Sequence, residues 1–411
     1  MRAEVIAIGD ELTTGQRLDT NSQWLSQRLT EMGVSVAYHT TIGDELDDNI
    51  NAFRAAIERA DVVVITGGLG PTADDLTREA LAAAVNVELV RDEPSLRRIE
   101  QLFQSRGRTM PSRNVVQADF PKGAVPITNP HGTAPGIELH VPREGRTACL
   151  LFALPGVPAE MYEMWEATVT PQIAKLQPEP RVIRHRRIKC FGVGESQLEA
   201  MLPDLIRRDR EPRVGITVSD AVITLRITAA EKDEATCFAA MAPTEATIRE
   251  ALGNLVYGQE DDELEDVVVR ALQAKGLTIA VAEWATEGLV GEWLKRASGN
   301  SGVFLASSVV DSLQQIPSLP ADSEPNGSAT ATALAEGVRQ TTSADIGLGI
   351  AAFPAIRDTA DAHVCAAIAL PERTRKLRFR CASHPSIMRT RTARQALNAV
   401  RLALLSGFDT T

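Results

Sequence analysis

The sequence predicts an α/β protein whose first domain is a parallel sheet with helices on both faces. Three observations predict it. Strand patterns at 4–8, 34–41 and 62–65 alternate with helical patterns at 21–32 and 49–59, which is repeated β-α-β. The run Val62-Val63-Val64-Ile65 is apolar and β-branched, as in a strand buried on both faces. Each strand then ends in a glycine- and acid-bearing turn: Gly9-Asp10-Glu11, Gly43-Asp44 and 67–75. In parallel sheets ligands sit beyond the carboxyl ends of the strands, so three acidic turns converge on one rim.

Composition bounds the rest. At 411 residues the chain holds two or three domains. Aromatics are only 4%, so the cores must be Val, Ile, Leu and Ala. A net charge of −11 argues against nonspecific nucleic-acid binding, which needs a basic footprint. The five cysteines are scattered without a CxxC pair, and the histidines lack HxxxH spacing, so neither a disulfide frame nor a zinc knuckle is expected. The N-terminus runs straight into a strand, and no apolar run approaches the roughly 18 residues of a membrane span. A cytoplasmic protein with no membrane or nucleic-acid partner is expected.

The helix at 21–32 carries Leu25, Leu29 and Met32 on one face, and Gly33 stops it. The stretch after Ile65 is the centre of the chain. Thr66-Gly67-Gly68-Leu69-Gly70 lets the backbone approach a ligand closely, and Thr72, Asp74, Asp75 and Thr77 follow where a helix begins. Such a turn aims N–H groups and a helix N-terminus at one point, which suits a phosphate. Adjacent carboxylates beside a phosphate call for a cation between them, most simply Mg²⁺. Ordinary helix capping is the bland alternative. Asp75, with Asp74, Asp44 or Glu11, would hold the cation, and one remaining carboxylate would orient a water.

Further on, 94–104 reads as a helix and 111–135 as loop, with 129–136 able to cover the site and His131 solvated. A buried strand at 148–154 leads into 155–160, where Glu160 is either a cap or a further carboxylate. Pro178 and Pro180 mark a linker. A strand at 182–191 precedes a turn at 192–196, where Glu195-Ser196 caps a helix with Leu198, Met201 and Leu202 on its buried face. A hairpin (214–218, 221–227) turns at Ser219-Asp220, and two helices (234–242, 244–252) break at Pro243. This is a small α+β middle domain, a spacer or dimer element. The last part reads as helices at 264–274 and 386–405 and strands at 277–282, 346–350, 363–369 and 376–381, with a loop at 314–329. Ala393, Leu397, Val400 and Leu404 form the buried stripe of the final helix, and Arg389, Arg391, Arg394 and Arg401 a solvated face or a partner-docking one. The domains are therefore placed at 1–175, 176–260 and 261–411.

Three motifs carry a resemblance: Gly9-Asp10-Glu11-Leu12 with Gly15 and Asp19-Thr20-Asn21, then 66–77, then Leu154-Pro155-Gly156-Val157-Pro158-Ala159-Glu160. The chain resembles the CinA (competence/damage-inducible protein A) family, and its first domain is similar to molybdopterin-binding domains. The resemblance implies a three-layer α/β/α first domain and a C-terminal α/β CinA-type domain. It implies metal-dependent hydrolysis of ADP-ribose or a related pyrophosphate. The site would comprise Asp75, Asp44 and Glu11 as catalytic groups. Thr66, Gly67, Gly68, Leu69, Gly70, Thr72, Asn21 and Thr77 would bind the substrate. Asp74, Asp75, Asp44 and Glu160 would hold a divalent ion (Mg²⁺, Mn²⁺ or Co²⁺), with K⁺ as a further cation. The partners implied are a small nucleotide and a second copy in a homodimer.

The C-terminal domain resembles the family's nicotinamide mononucleotide (NMN) deamidase domain, but departs from its motifs. Where the family carries Ala-Glu-Ser-Cys-Thr-Gly-Gly, this chain has Trp284 at the serine place, Ala285 at the cysteine place and Glu287 at the first glycine place. Asp311 stands near the family's tyrosine, and Gly349-Ile350-Ala351-Ala352-Phe353-Pro354 keeps one of the two loop glycines. The expectation is an inactive deamidase fold. Two other readings stay open: a deamidase with a relocated nucleophile (Ser307, Ser308 or Ser312), and a non-enzymatic pterin or nucleotide binder.

Overall fold

The computed structural model describes residues 1–177, 181–207, 210–316, 319, 322–355, 362–381 and 384–406. The chain forms two compact units, Met1–Arg184 with Ala230–Cys237, and His185–Ala229 with Phe238–Thr411. Pro178 and Pro180 lie outside the described residues.

In the first unit the order is β1 (Arg2–Ile8), α1 (Asp10–Thr13), α2 (Thr20–Glu31), β2 (Ser35–Ile42), α3 (Leu46–Arg59), β3 (Val62–Thr66) and α4 (Thr77–Ala84). Then come β4 (Leu89–Arg91), α5 (Glu93–Ser105), β5 (Asp119–Pro121), β6 (Val125–Ile127), β7 (Gly136–Arg143), β8 (Arg146–Leu154), α6 (Pro158–Met164) and α7 (Thr170–Lys175). The sheet order is β2-β1-β3-β8-β7-β6. β1, β2, β3 and β8 are mutually parallel, while β7 and β6 run antiparallel at one edge. All five residues of β3 are buried. Its side chains serve two cores: Val63 and Ile65 pack with Phe53 and Leu81 on one face, Val62 and Val64 with Leu25 and Trp165 on the other. Each buried aliphatic side chain contributes about 1.5–3 kcal/mol, so this strand fixes the floor of everything built at its end.

One expectation fails here, and one strand lies where none was expected. The stretch 111–135 is not mainly loop: it holds a 3-10 helix (Ser112–Ala118), β5 and β6. These strands have three residues each and carry Pro121 and Pro126, which hide them from a local reading; β5 exists by pairing with β4, and β6 by pairing with β7. β7 itself is unforeseen, although Ile137, Leu139 and Val141 alternate as an edge strand should.

The chain continues with β9 (Val182–Cys190), α8 (Glu195–Met201), β10 (Arg213–Ser219), β11 (Val222–Glu231), α9 (Glu234–Leu252) and β12 (Val256–Gln259). The sheet order is β10-β11-β9-β12, and β10 and β11 form the expected hairpin, with positive φ at Asp220 and Ala221. α9 is one continuous helix across Pro243 rather than two. Its buried row of Cys237, Met241, Thr244 and Ile248 holds the helix together despite the missing donor. Met201 is exposed, not on the buried face of α8, and Gly194 rather than Glu195-Ser196 occupies the cap position.

The last stretch holds α10 (Leu264–Lys275), β13 (Ile279–Glu283), α11 (Leu289–Ser298), β14 (Phe304–Val309), α12 (Ser328–Thr342), β15 (Ile346–Ile350), β16 (His363–Ala369), β17 (Thr374–Arg380) and α13 (Pro385–Leu405). The sheet order is β14-β13-β15-β16-β17. α12 was not foreseen; of the loop expected at 314–329, residues 317–318 and 320–321 lie outside the description. α12 lies so close to β15 that a Cβ on Gly347 would stand 2.0 Å from the Ala335 carbonyl oxygen, and one on Gly349 2.3 Å from that of Ala331. Gly349 is therefore a packing glycine rather than one freed to wrap a phosphate.

The arginines of α13 are not a solvated face. Arg401 is buried and donates to the carbonyls of Asn254 (2.6 Å) and Val256 (3.3 Å). Arg394 donates to Asp220 O and lies 3.7 Å from its carboxylate. Among the described residues no helix is long and apolar enough to cross a membrane, and no disulfide joins the five cysteines.

Candidate functional site

The carboxyl ends of β1, β3 and β8 open into a cleft of about 570 Å³. Its floor is the turn after β3. Gly67 and Gly68 take φ of +107° and +64°, which a side chain would resist, and a Cβ on Gly68 would meet the Thr77 hydroxyl oxygen at 2.3 Å. Gly67 N–H donates to Leu154 O at 3.1 Å and Gly70 N–H to Asp75 Oδ1 at 2.7 Å. Between them, the N–H groups of Gly68 and Leu69 have no acceptor among the described residues. The turn's carbonyls face the other way. Arg78, buried on α4, donates to Leu69 O (2.6 Å) and Gly70 O (3.3 Å). Burial pushes this guanidinium down to about 10, against the pull of Glu79, Asp75 and Asp119. A buried cation thus grips two carbonyls of the turn, while the N–H groups of Gly68 and Leu69 stay unpaired in the stretch that lines the cleft.

The expected site residues divide three ways. Glu11, Asp44, Gly67, Gly68, Leu69, Gly70, Asp74, Asp75 and Glu160 all line the cleft. Asn21 and Thr66 line a small adjoining recess instead. Thr77 does neither: it is fully buried and its hydroxyl donates to Gly67 O at 2.9 Å, closing the turn. Thr72 is exposed, and both its N–H (2.9 Å) and its hydroxyl donate to Asp75 Oδ2. Asp75 therefore orders the loop 70–75 through three hydrogen bonds while one side of it faces the cleft.

Asp10 and Asp44 hold one another: Asp10 N–H donates to Asp44 Oδ2 (3.0 Å) and Asp44 N–H to Asp10 Oδ1 (3.2 Å). Burial pushes the Asp44 carboxyl above the ordinary carboxylate range. The Asp10 N–H opposes this, and the charges of Asp10, Asp74 and Glu11 add to it. Among the described residues, however, no group of three or more His, Cys, Asp or Glu side chains is placed to hold a metal. The expected set of Asp74, Asp75, Asp44 and Glu160 is not preassembled, because Asp75 is tied into its loop and Glu160 accepts from Asn129 Nδ2 at 2.7 Å. The carboxylates still fit a hard cation in charge and donor type. Mg²⁺ is commonly held by one or two carboxylates, waters and the substrate's own phosphates, so a preformed cage is not required. His131 is exposed, as expected, with its Nε2 3.1 Å from a Glu163 carboxylate oxygen.

Sequence reasoning missed two arginines. Arg17 lines both the cleft and the recess and makes no ion pair among the described residues. Arg78 could have been suspected, since its helix, Thr-Arg-Glu-Ala-Leu-Ala-Ala-Ala, has almost no polar face to offer solvent.

The comparisons with known proteins match along almost the whole length. Residues 4–175 match the family described as "Probable molybdopterin binding domain", 185–258 the "Damage-inducible protein CinA KH domain" and 261–404 the "CinA C-terminal domain". A CinA-like protein of Frankia casuarinae is 39% identical over 363 residues, covering 85% of this chain and 83% of its own length. The chain belongs to the CinA family. A CinA-like protein of Dictyoglomus thermophilum is also 39% identical, with 85% of each chain covered. Among solved structures, the CinA protein of unknown function from Thermoplasma acidophilum is 34% identical, with a TM-score of 0.38, covering 42% of this chain and 98% of its own.

Within the CinA C-terminal domain, the motif place after β13 is filled rather than open. Glu283 is fully buried and accepts from Thr286 Oγ1 (2.6 Å), Val290 N–H (3.0 Å) and Gly291 N–H (2.7 Å). The turn 284–288 separates β13 from α11, which begins at Leu289. Trp284 packs against the apolar cluster of Ala280, Ala282, Val310 and Leu334. Glu287 has φ +49° and lies 3.3 Å from Arg389, which also donates to the carbonyls of Thr286 (2.8 Å) and Glu287 (3.2 Å).

Proposed function

We propose that the cleft of the first unit hydrolyses a nucleotide pyrophosphate, with ADP-ribose as the best single substrate and AMP and ribose 5-phosphate as products. The observation that carries this reading is the meeting of opposite demands in one cleft. The unpaired N–H groups of Gly68 and Leu69 and the unpaired Arg17 ask for an anion. Glu11, Asp44, Asp74 and Asp75, which line the same cleft, ask for a cation. A pyrophosphate bound with a hard cation meets both.

A divalent ion, when bound, would neutralise charge on the two phosphoryl groups. Asp44 and Asp74 are the residues that would hold it, since neither is locked into the turn as Asp75 is. Gly68 and Leu69 would donate to phosphoryl oxygens, and Arg17 would orient the second phosphate. Glu11 is left to take the proton of the attacking water. Asp75 would keep the loop in the shape that presents these donors. We propose further that the C-terminal domain lacks NMN deamidase activity, because an indole offers no nucleophilic oxygen.

The test follows AMP release from ADP-ribose with Mg²⁺, Mn²⁺ or Co²⁺, beside Asp75→Ala, with ammonia release from NMN measured in the same samples. Metal-dependent AMP that vanishes in the variant, with no ammonia, is the expected result. Ammonia without AMP overturns both proposals. Tight ligand binding without turnover under any metal favours the non-enzymatic binder.

A further inference from the structure

The second unit holds a cavity of about 600 Å³ where the turn after β9, the β10–β11 hairpin, β17 and α13 meet. Its lining has two characters. β17 shows both on one face, because alternate residues of a strand share a side: Arg375, Leu377 and Phe379 all line the cavity. Leu377 and Phe379 pack on the main core of the unit, together with the buried Phe191, yet both remain half-buried. Leu402, from α13, extends this apolar wall.

The polar part of the lining is cationic and rich in donors. Arg375 and Arg391 stand against a single lining carboxylate, Glu195. The Arg375 side chain is exposed, and its guanidinium makes no ion pair or hydrogen bond among the described residues. Asn398 is held from behind. The buried Arg401 donates from Nε to Asn398 Oδ1 at 2.9 Å, while its other nitrogens hold the carbonyls of Asn254 and Val256. A guanidinium can only donate, so the amide oxygen must face Arg401, and Asn398 has only its Nδ2 donors left for the cavity.

A bare anion would leave the apolar wall in water, and a neutral hydrocarbon would leave the cations and the Asn398 donors without an acceptor. The volume is that of small-molecule sites, which are lined by apolar side chains with a few polar groups that fix orientation. We propose that this cavity binds a small amphiphilic anion, a carboxylate or phosphate head on an aromatic or aliphatic body. The guanidiniums and Asn398 Nδ2 hold the head, and the body lies on Leu377, Phe379 and Leu402. None of the lining residues belongs to the cleft of the first unit or to the motif places of the CinA C-terminal domain. The proposal is therefore independent of the pyrophosphatase reading.

The experiment is calorimetric titration of the full chain with 2-naphthoate, 2-naphthyl phosphate, the neutral 2-naphthamide and inorganic phosphate. At least one naphthyl anion should bind about ten-fold or more tightly than both naphthamide and inorganic phosphate, as a charge-assisted hydrogen bond added to apolar burial requires. The stronger of the two anions names the head. Arg375→Gln or Arg391→Gln should weaken that anion by about ten-fold and leave naphthamide within a few-fold. Ala399 also lines the cavity, and Ala399→Phe, which fills it, should remove binding. The probe series needs no variant, so misfolding of a variant cannot hide the first result. No measurable binding of any probe at millimolar concentration overturns the proposal. So does naphthamide bound as tightly as the anions. Anion binding unchanged in both arginine variants places the probe elsewhere, the cleft of the first unit included, and overturns it as well.

Discussion

The turn after β3 and the turn after β13 are built alike and end up as opposites. Each follows a strand of five buried residues inside a sheet. The first N–H beyond each strand donates to a backbone carbonyl: Gly67 to Leu154 and Trp284 to Ile350. An arginine from elsewhere grips two carbonyls of each turn, Arg78 in one and Arg389 in the other. What differs is whether the chain itself takes up the donors that follow the strand. After β3 the N–H groups of Gly68 and Leu69 have no acceptor among the described residues. After β13 the chain's own Glu283 carboxylate takes the N–H groups of Val290 and Gly291, and Trp284 lies in an apolar cluster. Strand, turn and arginine make the same frame in both, and the two frames differ in whether the chain's own groups take up the donors that follow the strand.

The largest test of that contrast is Asp75→Ala. Its three hydrogen bonds order the turn, so AMP release should fall by about 10²–10³-fold, read as initial rate at saturating ADP-ribose. Retained rate would detach the turn from chemistry. Next is Arg78→Met, which leaves the carbonyls of Leu69 and Gly70 without their buried donor. A loss of about 2–4 kcal/mol in urea unfolding is expected, and a loss below about 1 kcal/mol would show that the frame stands without its arginine. Trp284→Ser puts a hydroxyl at the nucleophile place. It should cost about 1–3 kcal/mol in stability and yield no ammonia from NMN, because Ala285, Glu287 and Asp311 still depart from the family's motifs. Ammonia release would sharpen the contrast differently, leaving the indole as the only obstacle.

Asp44→Asn should have the smallest effect. The folded carboxyl titrates above its ordinary value, so ionised Asp44 destabilises the fold, and this penalty appears as the pH rises through the carboxylate range. At pH 7 the variant should therefore be slightly more stable, by at most about 0.5 kcal/mol after solvent screening. The gain should disappear below the ordinary carboxylate range, where Asp44 is protonated in folded and unfolded chain alike. Melting temperatures across that range decide it, and a gain that grows on acidification would reverse the sign.

Much of the first domain could be read from sequence because its signals are local. The β-branched run, the glycines and the acids lie within a few residues of the sites they build. What was missed depends on partners distant in the chain. β5 and β6 are three-residue strands that exist only through pairing, and α12 is shaped by the glycines of β15, which its backbone touches. Arg17 and Arg78 carry the same charge, yet one lines a cleft and the other is buried, and nothing in the residue type tells them apart. Thr77 is ambiguous for a related reason: at a helix start a hydroxyl can cap, bind or close a turn, and its bond to Gly67 O is invisible in the sequence. The arginines of α13 read as solvent-facing by periodicity, but Arg401 finds carbonyls nearly 150 positions upstream, 147 and 145 residues away.

The strand order of the first sheet bears on how the chain must be made. β3 lies between β1 and β8, and Val62 is in register with Leu150. A ribosome that has delivered β1, β2 and β3 has therefore built a sheet with one raw edge, and that edge is the most apolar strand of the domain. It stays open for more than eighty further codons, until β8 slides in parallel beside it. Through that interval the nascent chain carries an unpaired, hydrophobic strand of the kind that templates aggregation. Any truncation that stops short of Leu154 would make this condition permanent.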